Sequence, residues 1–209
     1  MMLALAGLLT LFVTFVSATP TMRARQIGAS CAGLADGSTD SPSYNFTLAA
    51  YNLTLPNANS TGAPLVLGWG RPVTSPEASE WAISTYAAWG SNEWPYFTLS
   101  NGALYPIPGP DETGMGAYDF EIASGAEVAF LVTYHESNPP LAFIYCAAAG
   151  DDSEYAKLAV NNDADNFSLC QATTLWSNVV LAYEANTNNT YYDYSTCYPV
   201  QVNIIPYEA

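Results

Sequence analysis

Along most of this chain, large apolar residues recur at every second position, and Gly, Pro, Asn, Asp and Ser break the runs at short intervals. That is the period of strands with one face buried, not of helices. Tyr44-Asn-Phe-Thr-Leu-Ala-Ala50 alternates in this way, and Asn57 to Pro64 forms a polar turn cluster before the apolar run Pro64 to Trp69. Further runs cover Tyr118 to Ile122, Glu127 to Tyr134, Leu141 to Ala147, Tyr155 to Val160, Trp176 to Tyr183 and Tyr198 to Ile205. The sharpest local signal is Phe97-Thr-Leu-Ser-Asn-Gly-Ala-Leu-Tyr105. Asn101-Gly102 suits a two-residue type I′ turn, in which both residues take positive φ, so Ser100 should face Ala103 and Leu99 should face Leu104.

One segment reads two ways. Ser75-Pro76 resembles a helix start and Gly90 a helix stop, yet Trp81, Ile83 and Thr85 alternate as a strand would. The expectation is a short helix or loop followed by a strand, with the helix near residues 76–89. Together these elements predict an all-β fold, an antiparallel β-sandwich or jelly roll.

The first residues have a different pattern. Leu3 to Phe15 is apolar apart from Thr10 and Thr14, the length of a signal-peptide core and too short to span a bilayer as a helix. Val16-Ser17-Ala18 offers a cleavage site before Thr19, so residues 1–18 are expected to be a signal peptide. Arg23 and Arg25 suggest that residues 19–25 are a pro-segment trimmed after Arg25. The remainder, residues 26–209, fits a single domain large enough for its own core. No later stretch is apolar enough to enter a membrane, and the tail is no lipid-anchor signal.

Charge narrows the partners. The segment from residue 26 keeps all 19 acidic residues against two fixed cations, Arg71 and Lys157, a formal charge of −17. Nucleic acid and anionic membranes are captured by Lys and Arg that displace counterions, so neither is an expected partner. Self-repulsion eases as pH falls towards the carboxylate range, which suits mildly acidic surroundings.

The cysteines and sequons agree with export. Cys31, Cys146, Cys170 and Cys197 are an even set with no zinc-site spacing, so disulfides are expected. Three pairings are open. Economy favours Cys31 with Cys197, tying the two ends together, and Cys146 with Cys170, closing a shorter loop. Asn45, Asn52, Asn59, Asn166 and Asn188 each begin an N-glycosylation sequon.

Catalytic chemistry is constrained by supply. His135 is the only histidine, which removes His-based triads and most zinc, copper and iron sites. Carboxylates are plentiful, and glycosidases need two in an aromatic cleft. The candidates are Glu77, Glu80 and Glu93 near Trp81, Trp89 and Trp94, or Asp119, Glu121 and Glu127. A Gln/Glu acid protease would draw on Gln171 or Gln201. Against all of these, acids pair along alternating strands without any catalytic purpose, and aromatics are ordinary core. No cofactor is expected, except that Asp151-Asp152-Ser-Glu154 and Asn161 to Asn166 carry the hard oxygen ligands Ca²⁺ requires. Exposed, coplanar Trp69, Trp89 and Trp94 would favour a sugar binder, and buried rings a scaffold.

The strand Phe46-Thr-Leu-Ala-Ala50, the short Leu65-Val-Leu-Gly68, the hairpin Asn101-Gly-Ala-Leu104 and Phe143-Ile-Tyr-Cys146 followed by Cys170 occur in an order that resembles the small secreted, phialide-type cell-wall proteins of filamentous fungi. The resemblance implies a wall-associated or secreted β-sandwich glycoprotein with no catalytic residues, whose partners would be wall polysaccharide or other wall proteins. The expected function is therefore a non-catalytic extracellular structural or interaction protein. An acid-acting carboxylate hydrolase is the alternative, and a carbohydrate-binding module the third reading.

Overall fold

The structure is a computed structural model that describes residues 28–71, 78–150, 154–173 and 177–208. The expected leader and pro-segment, the helix start at Ser75-Pro76, Glu77, Asp151, Asp152 and Trp176 lie outside the described residues.

The alternating runs form antiparallel strands, as the apolar period requires. They are β1 (Phe46–Asn52), β2 (Ala63–Trp69), β3 (Ala78–Thr85), β4 (Tyr96–Ser100), β5 (Ala103–Ile107), β6 (Met115–Asp119), β7 (Ala129–Tyr134), β8 (Tyr145–Ala148), β9 (Ala156–Val160), β10 (Phe167–Ala172), β11 (Val179–Tyr183) and β12 (Tyr192–Pro206). The fold is all-β and sandwich-like. Its pairings close a circuit β1-β2-β3-β11-β10-β12 and back to β1. Three antiparallel pairs are attached at points where a ring strand changes partner: β4-β5 on β1, β6-β7 on β3 and β8-β9 on β12. The 15-residue length of β12 makes this feasible, because its first half pairs with β10 and its second with β1 and β9.

Every second residue of the ring strands points inward. Phe46, Leu48, Leu67, Ile83, Phe130, Phe167 and Val202 are almost fully buried in one cluster. Phe46 and Phe97 stack there with centroids 6.3 Å apart, each side chain worth about 1.5–3 kcal/mol of burial. On the other face of β3 and β11, Ala82, Val180 and Ala182 join Cys170 and Tyr192 in a second cluster.

The hairpin is as the dipeptide predicts. Asn101 has φ 51° and Gly102 φ 86°, Ser100 faces Ala103, and Leu99 faces Leu104. In the ambiguous segment the strand expected through Trp81, Ile83 and Thr85 forms, and what precedes Ala78 lies outside the described residues. Ala78–Thr85 is strand, and the helix is a single turn after it, α1 (Tyr86–Trp89), ended by Gly90 at φ 83°.

Both disulfides form, but the expected pairing is overturned. Cys31 bonds Cys146 and Cys170 bonds Cys197. The N-terminal segment runs beside β8, where Thr39 bridges Ala147, which carries Cys31 to Cys146. β10 and β12 are neighbours, and a bulge between Leu169 and Gln171 sets Cys170 opposite the Asp193–Cys197 stretch. Disulfides form and persist in oxidising, extracellular-type surroundings. Among the described residues no helix is long and apolar enough to cross a membrane.

Candidate functional site

Two carboxylates drawn from different expected sets meet at one cation. Arg71 leaves the end of β2, Glu80 lies on β3, and Glu127 precedes β7. Arg71 Nε lies 3.5 Å from Glu80, and its Nε and Nη2 donate to the two oxygens of Glu127, which is buried. Burial opposes the Arg71 charge, but the hydrogen bond and the charges of Glu127 and Glu80 outweigh it and hold the guanidinium above its ordinary range. Glu80 is pushed up by burial, partly offset by Arg71. One of the chain's few cations thus sits between the two acids and offsets part of their mutual repulsion.

The β11–β12 loop closes over this group. Asn189 Nδ2 donates to Glu127 (3.1 Å) and to the Gly125 carbonyl (2.7 Å), and its Oδ1 accepts from the Tyr191 amide. The Tyr192 hydroxyl donates to Gly125 O at 2.9 Å and accepts from the Asn186 amide at 3.0 Å. Gly125 sits at φ +84°, a left-handed conformation that favours glycine, and a Cβ there would have to displace the Asn186 amide. The Arg71 guanidinium carbon stands 3.8 Å above the centre of the Tyr191 ring, a cation–π contact. Between loop and strands lies a cleft of about 270 Å³, lined by Arg71, Ser124, Asn186, Asn188, Thr190 and Tyr191 among others.

Beside it the tryptophans pack together. Trp81 lies 6.1–6.3 Å from Trp69, Trp89 and Trp94, and its Nε1 donates to Ser79. Trp94 is 1 % exposed and Trp69 46 %. Trp69 and Trp89 are tilted by 31°. The set is therefore neither a coplanar exposed platform nor a fully buried core, and it divides the two readings that the rings were expected to separate.

The remaining sequence candidates are dispersed. Glu93 accepts from Ser91, Glu121 is exposed, and Gln171 and Gln201 give their amide protons to the Ser177 and Asn178 carbonyls and to Asn203. His135 is exposed at the end of β7, near the Tyr118 hydroxyl. Asn161 and Asn162 form a left-handed turn. The Asp163 oxygens accept from the Asp165 amide, Asn166 Nδ2 and the Tyr183 hydroxyl, which hold its pKa down despite partial burial. The Asn161 to Asn166 run, with its Ca²⁺-type oxygen ligands, forms a hydrogen-bonded turn. Of the sequon residues, Asn45, Asn59, Asn166 and Asn188 are exposed and Asn52 is half-buried.

Asp119 is the acid whose setting departs most from water. It is 1 % exposed, and its two oxygens accept from the Leu104 amide (2.8 Å) and the Ala142 amide (3.1 Å). Burial raises its pKa, the backbone donors offset part of that rise, and the result is about 7. Tyr145, fully buried nearby, is pushed well up by its own burial and then by Asp119. The carboxyl thus joins β6, the β4–β5 hairpin and the strand entering β8. It holds backbone together.

Compared with known protein families, characterised proteins and solved structures, the chain matches none.

Proposed function

We propose that this chain is an exported, non-catalytic glycoprotein that acts as a structural or interaction component outside the cell, in the wall or matrix. The observation that carries this reading is how the buried acids are used. Asp119 has both oxygens on backbone amides, and Glu127 has both on Arg71 and Asn189. A general acid or base must reach a substrate proton, and these two carboxylates are buried and engaged with the protein's own donors. Two disulfides, five sequons and a closed strand circuit instead support durability in an oxidising, hydrated setting.

The test is fractionation of the native producer. The protein should appear in the medium or wall fraction, carry N-glycans, and co-sediment with isolated wall polysaccharide. It should cleave neither polysaccharide nor protein at acid pH. Intracellular, unglycosylated material would overturn the reading, and so would hydrolysis abolished by Glu80→Gln.

A further inference from the structure

The cleft beneath the β11–β12 loop has a sequon on its own wall. Asn188 lines it and is exposed, so a glycan attached there starts at the rim. Its volume, about 270 Å³, falls just under the range of about 300–1,000 Å³ usual for small-molecule sites. That suits one pyranose ring and not an oligosaccharide.

The lining also selects the ligand. Arg71 is matched by Glu80 and Glu127, so the cleft offers an anion no net positive charge. It offers the second N–H and lone pair of the Asn186 amide, whose other halves hold Glu184 O and the Asn188 amide, the hydroxyls of Ser124 and Thr190, and the partly exposed Tyr191 ring, stiffened by the guanidinium above it. Those groups match a neutral ring bearing hydroxyls and an acetamide, with an apolar face for the tyrosine. A tethered ligand also has a high effective concentration and loses little further freedom on docking.

We propose that the first N-acetylglucosamine of the Asn188 glycan docks in this cleft and becomes part of the 184–192 loop. The inference rests on the export reading above and adds one ligand and one site to it. Its neighbours are already positioned, because Asn186 Oδ1 accepts from the Asn188 amide and Asn189 and Tyr192 anchor both ends of the turn.

The experiment uses the secreted protein, Asn188→Gln and Thr190→Ala, which each remove this glycan through a different side chain, and Asn45→Gln, which removes another. Hydrogen exchange of the 184–192 amides and the rate of enzymatic glycan release without denaturant are measured. Exchange should rise about tenfold in both Asn188-sequon variants and not in Asn45→Gln, and native release should be about tenfold slower at Asn188 than at Asn45. Equal release rates with unchanged exchange would overturn the docking, as would an unmodified Asn188 in a protein glycosylated elsewhere. A protein with no glycan at any sequon would overturn the export reading as well.

Discussion

Asp119 makes the stability of this protein depend on pH in a direction opposite to that of an ordinary ion-paired carboxylate. Its folded pKa is about 7, against 3.8 for the free side chain. Because the folded value is raised, the folded state holds a proton that the unfolded chain has released. The stabilisation is complete below the unfolded value and is lost as pH rises through the folded one. Each pH unit between the two values is worth about 1.4 kcal/mol, on the order of 4 kcal/mol for the whole interval. Between about pH 5 and about pH 8 the share lost is about 2.5 kcal/mol. For a domain of this size that lowers the melting temperature by roughly 5–10 °C. Repulsion among the other carboxylates acts in the same direction, so the Asp119 share is isolated by Asp119→Asn, which cannot titrate. Calorimetry of both proteins across that range should show a shallower slope in the variant by roughly that amount. The variant should also be less stable at every pH, since its NH₂ group opposes one of the two backbone donors. Below about pH 4 the wild-type curve should turn over. Asp163, whose pKa is lowered by its donors, stabilises above its unfolded value and loses that contribution as pH falls through its folded one. Parallel slopes for wild type and Asp119→Asn would refute the reasoning.

Other substitutions test separate parts of the structure. Arg71→Met leaves Glu127 buried without its cation and should cost about 2–3 kcal/mol in denaturant unfolding, discounted from the fully buried case because Arg71 is partly exposed. Adding Glu127→Gln should recover part of that loss. Gly102→Ala forces a Cβ at φ +86° to within 2.8 Å of Ser30 Oγ, so it should cost at least about 1 kcal/mol, read from the melting temperature. Replacing Cys170 and Cys197 together by serine opens a loop of separation 27 and should cost about 3–4 kcal/mol, measured as a shift of the denaturant midpoint.

The sequence is legible where structure is set by a few neighbouring residues. Asn101-Gly102 specifies its turn by backbone sterics alone, so the hairpin register follows from two letters. The same logic locates Gly90 as a helix stop. Trp81 and Ile83 alternate into the core as their period predicts, and the helix that Gly90 ends is the single turn Tyr86–Trp89. β10 escapes notice because the polar run Asn161 to Asn166 reads as a loop with no strand behind it. Yet Phe167 and Leu169 alternate inward once β11 and β12 flank them. The disulfide pairing depends on which strands are neighbours, and chain distance carries no record of that. Glu80 and Glu127 lie 47 residues apart in the sequence, and only the fold brings them to Arg71. One signal was available in advance. In a chain with so few cations, any buried acid that stays charged must find one of them or several backbone donors.

A non-reducing peptide map of the protein recovered from outside the cell tests its export and its strand neighbours together. It should show Cys31 joined to Cys146, Cys170 joined to Cys197, no free thiol, and an N-terminus at Gln26. Four reduced thiols on a chain that still begins at Met1 would contradict the export, and a Cys31–Cys197 crosslink would contradict the placement of the N-terminal segment beside β8 and of β10 beside β12.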